Sequence, residues 1–226
     1  MNLTILTPKA SILVIDDHPI TITGYKTCLE DSGLSLHIDG ACNCDEAINK
    51  LNNTKSNFFK MVFLDIKLPS SKTSKITGGE DLGLFIRKQF PETKIIVHTS
   101  LRDEQRITNI IKSLSPEGFL IKSDLSIKIL SDSVITVLEG NKYYSDSVRN
   151  LSKQSTSYDD FFVDSLDMQI IYFLSKGELT KNLPRLVPLS MATIERRKKR
   201  LKTVFGIPYG SDKQLLDVAR EKGYIL

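Results

Sequence analysis

Four short apolar runs in the first 122 residues each end in a polar residue of a type that binds cations or phosphate. The runs are Ile12–Asp17, Met61–Asp65, Ile95–Ser100 and Gly118–Lys122. Each has the length of a strand and is rich in β-branched or aromatic side chains, as is typical of buried parallel strands. Open α/β sheets bind ligands at the carboxyl ends of their strands. The pattern therefore predicts a pocket for a divalent cation and a phosphoryl group.

The composition is that of a soluble globular chain of two domains. Of its 226 residues, 40% are hydrophobic and 26% are charged. We expect no membrane span, because no apolar run approaches 18 residues. We expect no signal peptide, because Pro8, Lys9 and then an acid pair follow the first residues. The three cysteines form no Cys-x-x-Cys pair, which favours reduced thiols in the cytoplasm. The three histidines are scattered, and we expect no metal-ligand cluster from them.

The positive charge of the chain is concentrated in its last third. Residues 1–159 carry 19 basic and 19 acidic residues, whereas residues 160–226 carry 12 basic and 8 acidic ones. Six of these bases lie within Arg196–Lys202. A neutral first part and a basic second part suggest two roles, with a polyanion as the candidate partner of the second.

Strand and helix patterns alternate over the first 140 residues and then give way to helices alone. Five βα units predict a five-stranded parallel, doubly wound α/β domain over residues 1–140. The polar residues 141–162 predict a linker, and residues 163–226 a small all-α domain. Besides the four runs, a strand is predicted at 35–39. Helices are predicted at 20–29, 45–51, 79–90, 103–114, 125–138, 166–174, 180–187, 190–205 and 212–222.

The strand-end residues suit phosphoryl transfer. Asp16, Asp17 and Asp65 offer carboxylate oxygens, which hard cations such as Mg²⁺ prefer. A cation that offsets their repulsion would let Asp65 attack phosphorus. Lys122 could pair with the acids and the transferred group, and Thr99 could donate its hydroxyl to a phosphoryl oxygen. A single strand-final acid is more often structural, so the prediction depends on all of these groups occurring in order.

These residues resemble the receiver domain of two-component response regulators, which has a flavodoxin-like fold. The similarity covers about residues 10–140 and lies in the Asp16–Asp17 pair, Asp65 in F-L-D-I-K-L-P, Thr99, and Lys122 in G-F-L-I-K. It implies that a histidine kinase phosphorylates Asp65 and that Thr99 and Lys122 bind the phosphoryl group. It also implies an aromatic switch at Phe119, whose alternative interpretation is an ordinary half-buried sheet residue. The implied Mg²⁺ ligands are Asp16, through water, Asp17, Asp65 and the backbone carbonyl of Lys67.

One segment departs from the family pattern. Nine residues, Ser70–Gly78, lie between Pro69 and Gly79, where receiver domains normally have three or four. The insertion is basic and rich in hydroxyl groups. It is either a tolerated solvated loop or a lid or partner contact that changes the lifetime of the phosphoryl group or the choice of kinase.

The basic segment near residue 200 predicts an amphipathic helix. At 100° per residue, Ile194, Leu201 and Phe205 share one face. A basic stripe opposite an apolar one suits a helix in the DNA major groove, although a charge run is more often simply a solvated face. The residues predicted on the opposite face are Ala192, Arg196, Lys199 and Thr203.

This tail resembles the LuxR-type helix-turn-helix domain that ends response regulators of the NarL/FixJ family. The similarity lies in L-S-M-A-T-I-E-R-R-K-K-R-L-K, in F-G-I and in L-L-D-V-A-R-E-K-G-Y-I; upstream it weakens, and Pro184 is foreign to the family. Glu195 stands where the family often has lysine. The implied DNA-binding residues are Thr193, Glu195, Arg196, Arg197, Lys199 and Arg200.

The sequence as a whole indicates a cytoplasmic transcription factor that is controlled by phosphorylation and is not an enzyme. Phosphorylation would favour a homodimer that binds double-stranded DNA. One alternative is a Mg²⁺-dependent phosphohydrolase, but Lys67 stands where such enzymes usually have a second acid. The other is an interaction module whose C-terminal domain binds protein rather than DNA.

Overall fold

The computed structural model describes residues 10–55, 58–149 and 163–225. Within these ranges the chain forms two compact units: residues 10–100 with 114–149, and residues 101–113 with 163–225. The predicted division into residues 1–140 and 163–226 differs from this grouping at residues 101–113, which are grouped with the C-terminal helices. Residues 150–162 of the predicted linker lie outside the described part of the chain.

The first unit is built on a parallel sheet with the strand order β2-β1-β3-β4-β5-β6. The chain passes from β1 to β2 on one side and then returns to place β3 on the other side of β1. This reversal creates a topological switch point between the carboxyl ends of β1 and β3, where open α/β sheets bind their ligands. The strands are β1 (Ala10–Ile15), β2 (Leu36–Ala41), β3 (Phe59–Asp65), β4 (Lys94–Thr99), β5 (Gly118–Ile121) and β6 (Tyr143–Tyr144).

The prediction of five strands is wrong by one. The sixth, β6, pairs in parallel with Gly118 and Phe119 of β5. It comprises only two residues, which are too few to show an alternating pattern, and it lies in the polar stretch interpreted as a linker. The predicted parallel α/β architecture is otherwise confirmed.

Two helices of the first unit begin at side chains that cap them, and a third begins at a proline. Pro19 occupies the first turn of α1, where its missing N–H has no intrahelical partner to lose. The side chain of Asn43 accepts a hydrogen bond from Glu46 N at the start of α2, and Ser126 accepts one from Ile129 N at the start of α5. The helices are α1 (Pro19–Asp31), α2 (Cys44–Asn53), α3 (Gly79–Gln89) and α5 (Ile127–Leu138), and α4 (Glu104–Leu114) lies mainly in the second unit.

The core of the first unit lies between the sheet and its helices. Ile12 and Val14 of β1 and Phe63 of β3 are fully buried and belong to one cluster with Leu29 of α1 and Val134 of α5. Burying one such side chain contributes about 1.5–3 kcal/mol. Because helices cover both faces, β1 is apolar over Ile12–Ile15 and β3 over Met61–Leu64, and an acid follows each of these runs at the carboxyl end.

The second unit consists of helices. The segment predicted as a helix at 180–187 is a 3₁₀-helix that contains Pro184, which lacks the N–H that an α-helix needs. No helix in the described ranges has the length and apolar character needed to cross a bilayer. Besides α4, the elements are α6 (Ser165–Ser175), the 3₁₀-helix (Thr180–Arg185), α7 (Met191–Val204) and α8 (Asp212–Glu221).

The predicted apolar face of the basic helix α7 is confirmed. Ile194 packs in a cluster with Leu174 and Leu183, while Leu201 and Phe205 belong to a second cluster. All three predicted inward residues of this face are buried. The packing fixes which side of α7 faces solvent.

Side chains of α4 contact the end of the chain, which explains why this helix is grouped with the second unit. Asn109 Nδ2 donates a hydrogen bond to Tyr224 Oη at 2.9 Å. The Arg106 guanidinium lies 4.6 Å from the centroid of the Tyr224 ring, and Lys222 Nζ lies 2.8 Å from Asp103 Oδ2. A cation over an aromatic ring adds to the attraction.

Candidate functional site

The carboxyl ends of β1, β3 and β5 bring two acids and one lysine into direct contact. Lys122 Nζ lies 2.6 Å from Asp16 Oδ2 and 2.6 Å from Asp65 Oδ2. Asp16 and Asp65 are buried, and the Lys122 side chain is 22% exposed. The predicted meeting of these three residues at one edge of the sheet is therefore present, at the topological switch point.

Both oxygens of the Asp65 carboxylate are held. Oδ1 accepts a hydrogen bond from the Lys67 backbone N–H at 3.0 Å, and Oδ2 accepts one from Lys122. The start of α3 also presses on this strand end, because a Cβ at Gly79 would lie 2.0 Å from the Asp65 carbonyl oxygen. Only glycine fits there, so the close approach of α3 depends on Gly79.

Asp16, Asp17 and His18 form a second part of the same site. Asp16 Oδ1 accepts a hydrogen bond from the His18 backbone N–H at 2.9 Å, and His18 Nδ1 lies 2.7 Å from Asp17 Oδ1. One ligand atom from each residue lies within 4.8 Å of the others. The expectation that no histidine joins a ligand cluster was therefore wrong for His18. The adjacency of His18 to the acid pair was the available signal.

Asp16 and Lys122 each stabilise the ionised form of the other. Burial alone would raise the pKa of the Asp16 carboxyl, but the hydrogen bonds from Lys122 and the His18 N–H, together with the nearby positive charge, outweigh this, and the pKa lies below its ordinary value of 3.8. Burial likewise works against the charged Lys122, but its hydrogen bonds to Asp16 and Asp65 raise its pKa above 10.5. The carboxylate oxygens of Asp16, Asp17 and Asp65 are hard donors, and three acids against one lysine leave the pocket negative. These residues therefore fit a hard divalent cation.

The remaining predicted residues of this pocket lie on neighbouring strands. Thr99 is fully buried at the end of β4, next to β5. Phe119 is fully buried in β5, so it is an interior residue rather than a half-buried one. The Lys67 N–H is bound to Asp65, and the role of its carbonyl stays a prediction. The roles implied for Thr99 and Phe119 likewise stay predictions.

Sequence reasoning missed two buried residues beside the acids. His98 precedes Thr99 on β4, and its Nδ1 lies 3.8 Å from Asp16 Oδ2. The Tyr25 hydroxyl of α1 lies 2.8 Å from the same nitrogen. A histidine within an otherwise apolar strand was the only local signal, since its partner is 73 residues away.

The Ser70–Gly78 insertion is attached to α2 through one carboxylate. Asp45 Oδ1 accepts hydrogen bonds from Ser71 Oγ at 2.5 Å and from Thr73 Oγ1 at 2.6 Å, and Oδ2 accepts one from Lys72 N at 2.8 Å. These bonds lower the pKa of Asp45 to about 2. Two hydroxyl groups of the insertion are therefore turned toward Asp45, whereas that of Thr77 donates to Asp81.

The residues predicted to bind DNA differ in their exposure on α7. Glu195, Arg196 and Lys199 are exposed, as are the predicted outward residues Ala192 and Thr203. Thr193, at the first turn, is partly buried, and its N–H is bound to Ser190, the N-cap of the helix.

Arg197 and Arg200 instead point toward α6. Arg197 Nη1 lies 2.8 Å from Asp164 Oδ2 and 2.9 Å from Asp167 Oδ1, and Arg200 also pairs with Asp167, which is fully buried. These pairs join the basic helix to α6. Whether either arginine also contacts DNA stays a prediction.

Lys198 has a structural role that sequence reasoning missed. Its side chain is buried, with Nζ 2.6 Å from Asp212 Oδ2 and 2.8 Å from Thr180 Oγ1. Its spacing was the available signal, because it lies four residues after Ile194 and three before Leu201 and so shares their face.

Known proteins resemble the chain over most of its length. The transcriptional regulatory protein MctR of Rhizobium johnstonii (strain DSM 114642 / LMG 32736 / 3841) is 25% identical over 201 residues, which cover 88% of this chain and 89% of MctR. The oxygen regulatory protein NreC of Staphylococcus aureus (strain MRSA252) is 22% identical over 222 residues, which cover 93% of this chain and 97% of NreC. The similarity therefore extends beyond the first unit.

Solved structures share the fold. RcsB from Salmonella enterica serovar Typhimurium, bound to promoter rprA in the presence of the phosphomimetic BeF3-, matches with a TM-score of 0.68 and 21% identity, covering 93% of this chain and 98% of that one. The isolated REC domain of RcsB matches with a TM-score of 0.54 and 23% identity, covering 63% of this chain and 98% of that one. Residues 12–130 match the family described as "Response regulator receiver domain". This match covers more than half of the chain, and the chain belongs to the response regulator receiver family.

Proposed function

We propose that the chain takes up a phosphoryl group on Asp65 and thereby controls DNA binding by its C-terminal helices. The observation that carries the first part is the double contact of Lys122 Nζ with Asp16 and Asp65, at 2.6 Å each. The contact places Asp65, which could accept a phosphoryl group, next to the Lys122 ammonium, which could pair with the phosphoryl oxygens. The donor we propose is the phosphohistidine of a histidine kinase.

Phosphoryl transfer would use the groups that already surround Asp65. A carboxylate oxygen of Asp65 forms the new P–O bond while the P–N bond of the donor breaks, and the electron pair remains on the imidazole nitrogen. Lys122 then pairs with the phosphoryl oxygens, and Thr99 donates its hydroxyl to one of them. We propose that Mg²⁺, held by Asp16, Asp17, Asp65 and the Lys67 carbonyl, supplies the positive charge that lets an anionic donor approach.

We propose that α7 is the recognition helix of a helix-turn-helix of the NarL/FixJ type. Arg196 and Lys199 are exposed on the face opposite the core, where they could reach bases and phosphates in a major groove. Glu195 is exposed on the same helix and could accept from cytosine. Support comes from the similarity to RcsB from Salmonella enterica serovar Typhimurium, whose structure was solved bound to promoter rprA.

Phosphorylation would act by shifting an equilibrium toward a dimer. A domain of about 65 residues buries too little DNA surface for high specificity alone, so two copies of α7 on paired half-sites make geometric sense. Phe119 is the proposed switch residue that changes position with Thr99. A histidine kinase and DNA as partners imply a cytoplasmic protein. We propose no turnover of an external substrate, because Lys67 stands where a phosphohydrolase would need its second acid.

Replacement of Asp65 tests the acceptor. Incubation with acetyl phosphate and Mg²⁺ should add one phosphoryl group to the wild-type protein, measured by intact mass, and hydroxylamine should remove it. Asp65→Asn should take up none, whereas Asp132→Asn, a change on α5, should take up as much as the wild type. Full labelling of Asp65→Asn would refute the assignment.

Salt dependence tests the DNA interface. Arg196→Ala combined with Lys199→Ala should weaken binding to selected genomic fragments. The slope of log affinity against log salt should become shallower by the amount expected for the loss of about two phosphate contacts. An unchanged slope would contradict the groove assignment. It would instead favour the alternative in which these helices bind a protein partner.

A further inference from the structure

A buried hydrogen-bonded chain runs from α1 through β4 to the end of β1. The Tyr25 hydroxyl lies 2.8 Å from His98 Nδ1, and His98 Nε2 lies 3.3 Å from the Ile15 carbonyl oxygen. Tyr25 is 6% exposed and His98 is fully buried, so bulk water does not compete for these bonds. This series of hydrogen bonds ends on the backbone of Ile15, the residue that immediately precedes Asp16.

The hydrogen-bond partners determine the proton positions. A carbonyl oxygen can only accept, so His98 Nε2 carries a proton and donates it to Ile15. Burial lowers the pKa of the imidazole, which is therefore neutral with a lone pair on Nδ1. Burial and the carboxylates of Asp16 and Asp65 raise the pKa of Tyr25, which keeps its proton and donates it to Nδ1.

The imidazole is also fixed by its ring contacts. The His98 centroid lies 5.1 Å from that of Tyr25 and 6.0 Å from that of Phe63, and Tyr25 packs edge-on against Phe63 at 5.2 Å. Nδ1 lies 3.8 Å from Asp16 Oδ2. Rotation of the ring would therefore break both hydrogen bonds, including the one that holds the Ile15 carbonyl next to Asp16.

We infer that Tyr25 and His98 are positioning residues, which hold the end of β1 and thereby place Asp16 where it binds a divalent cation. The inference rests on the proposed phosphoacceptor function. Both residues act through Ile15 and Asp16. Loss of one such buried hydrogen bond should weaken Mg²⁺ binding about 3- to 10-fold.

Tyr25→Phe is the sharpest variant, because it removes only the hydroxyl and keeps the ring against Phe63. Calorimetric titration of the full chain with Mg²⁺ alone should show the 3- to 10-fold weaker binding. The Mg²⁺ concentration for half-maximal labelling by acetyl phosphate should rise by the same factor, while the labelling rate at saturating Mg²⁺ stays within about twofold of the wild type. Loss of a hydroxyl that only stabilises the fold would not weaken Mg²⁺ binding while leaving the labelling rate at saturating Mg²⁺ unchanged.

Tyr144→Phe is the matched control. It removes a hydroxyl hydrogen bond of 3.2 Å to the Pro116 carbonyl, close to the amino end of β5 and away from the acids. Its Mg²⁺ affinity should equal that of the wild type. Equal affinity in wild type and Tyr25→Phe, with only a lower melting temperature in the variant, would overturn the inference alone. Failure of the wild type itself to bind Mg²⁺ would overturn the proposed cation as well.

The tautomer gives a readout that needs no cation. Nitrogen-15 resonances of the His98 ring in the wild-type protein should be those of a neutral imidazole protonated at Nε2. A ring protonated at Nδ1, or one exchanging between the two forms, would overturn the hydrogen-bonded chain on which the inference depends.

Discussion

Arg197 reaches both carboxylate oxygens of Asp164, with its Nη1 2.9 Å from Oδ1 and 2.8 Å from Oδ2. The same nitrogen lies 2.9 Å from Asp167, which is fully buried. Removing a cation from a buried carboxylate is costly, so Arg197→Ala should lower the free energy of unfolding by about 2–4 kcal/mol. Urea denaturation of the full chain measures this loss.

The neighbouring residue provides the control. Arg196 is exposed on α7, and Arg196→Ala should change the free energy of unfolding by no more than about 0.5 kcal/mol. It should nevertheless weaken DNA binding. Equal losses of stability in the two variants would contradict the structural role of Arg197.

Lys122→Met should leave Asp16 and Asp65 without their shared cation. The lowered pKa of Asp16 means that its ionised form stabilises the fold above its ordinary pKa of 3.8, and that this contribution is lost as the pH falls through the folded value. The variant should therefore lose most stability, about 1–3 kcal/mol, near neutral pH and less below about pH 4. Thermal melts from pH 3 to 8 measure it. Lys128→Met, a change at an exposed lysine, should show no such pH dependence, and a parallel pH profile for both would be contrary to expectation.

Gly79→Ala should damage the acceptor site. Its Cβ would meet the Asp65 carbonyl oxygen at 2.0 Å, so α3 must move away from β3, at a cost of at least about 1–3 kcal/mol. Labelling by acetyl phosphate should fall with it. At Gly24 in α1 a Cβ would meet nothing within 4 Å, and Gly24→Ala should stabilise the fold by about 0.5–1 kcal/mol. Normal labelling and stability in Gly79→Ala would show that the close approach is not needed.

The insertion should loosen in acid. Asp45 has a pKa of about 2 in the folded protein against an ordinary 3.8, so its hydrogen bonds to the loop are fully present above about pH 4 and are lost as the pH falls toward about 2. Hydrogen exchange at the Lys72 amide should report this loss. In Asp45→Asn the same amide should be less protected at pH 5 and insensitive to further acidification. Identical protection in both proteins would argue that the loop is held elsewhere.

The local pattern was sufficient for most of the first unit. Runs such as Met61–Asp65 are buried on both faces, so their composition alone indicates parallel strands and the strand-final acid marks the ligand-binding edge. Tyr143–Tyr144 shows the limit of this reasoning. A two-residue strand has no period, and only its pairing with Gly118 and Phe119 makes it a strand.

Partners that are far apart in the sequence could be predicted only where strand ends bring them together, as for Asp16, Asp65 and Lys122. Tyr25 and His98 are separated by 73 residues, and Arg197 lies 33 residues from Asp164. Charge and periodicity report which face of an element is polar, but they do not report which distant side chain meets it. The family resemblance implied a DNA contact for Arg197, and nothing local to α7 indicated its acidic partners on α6.

The ammonium group of Lys122 has a consequence for how this protein would behave in a cell. Many proteins with clustered acids fold only when a metal ion binds, because the ion offsets the repulsion between the carboxylates. Here Lys122 already offsets part of the negative charge at the two buried acids, so a chelator should leave the folded population intact. Magnesium supply would then govern how fast the signal is received and not how much receiver is present.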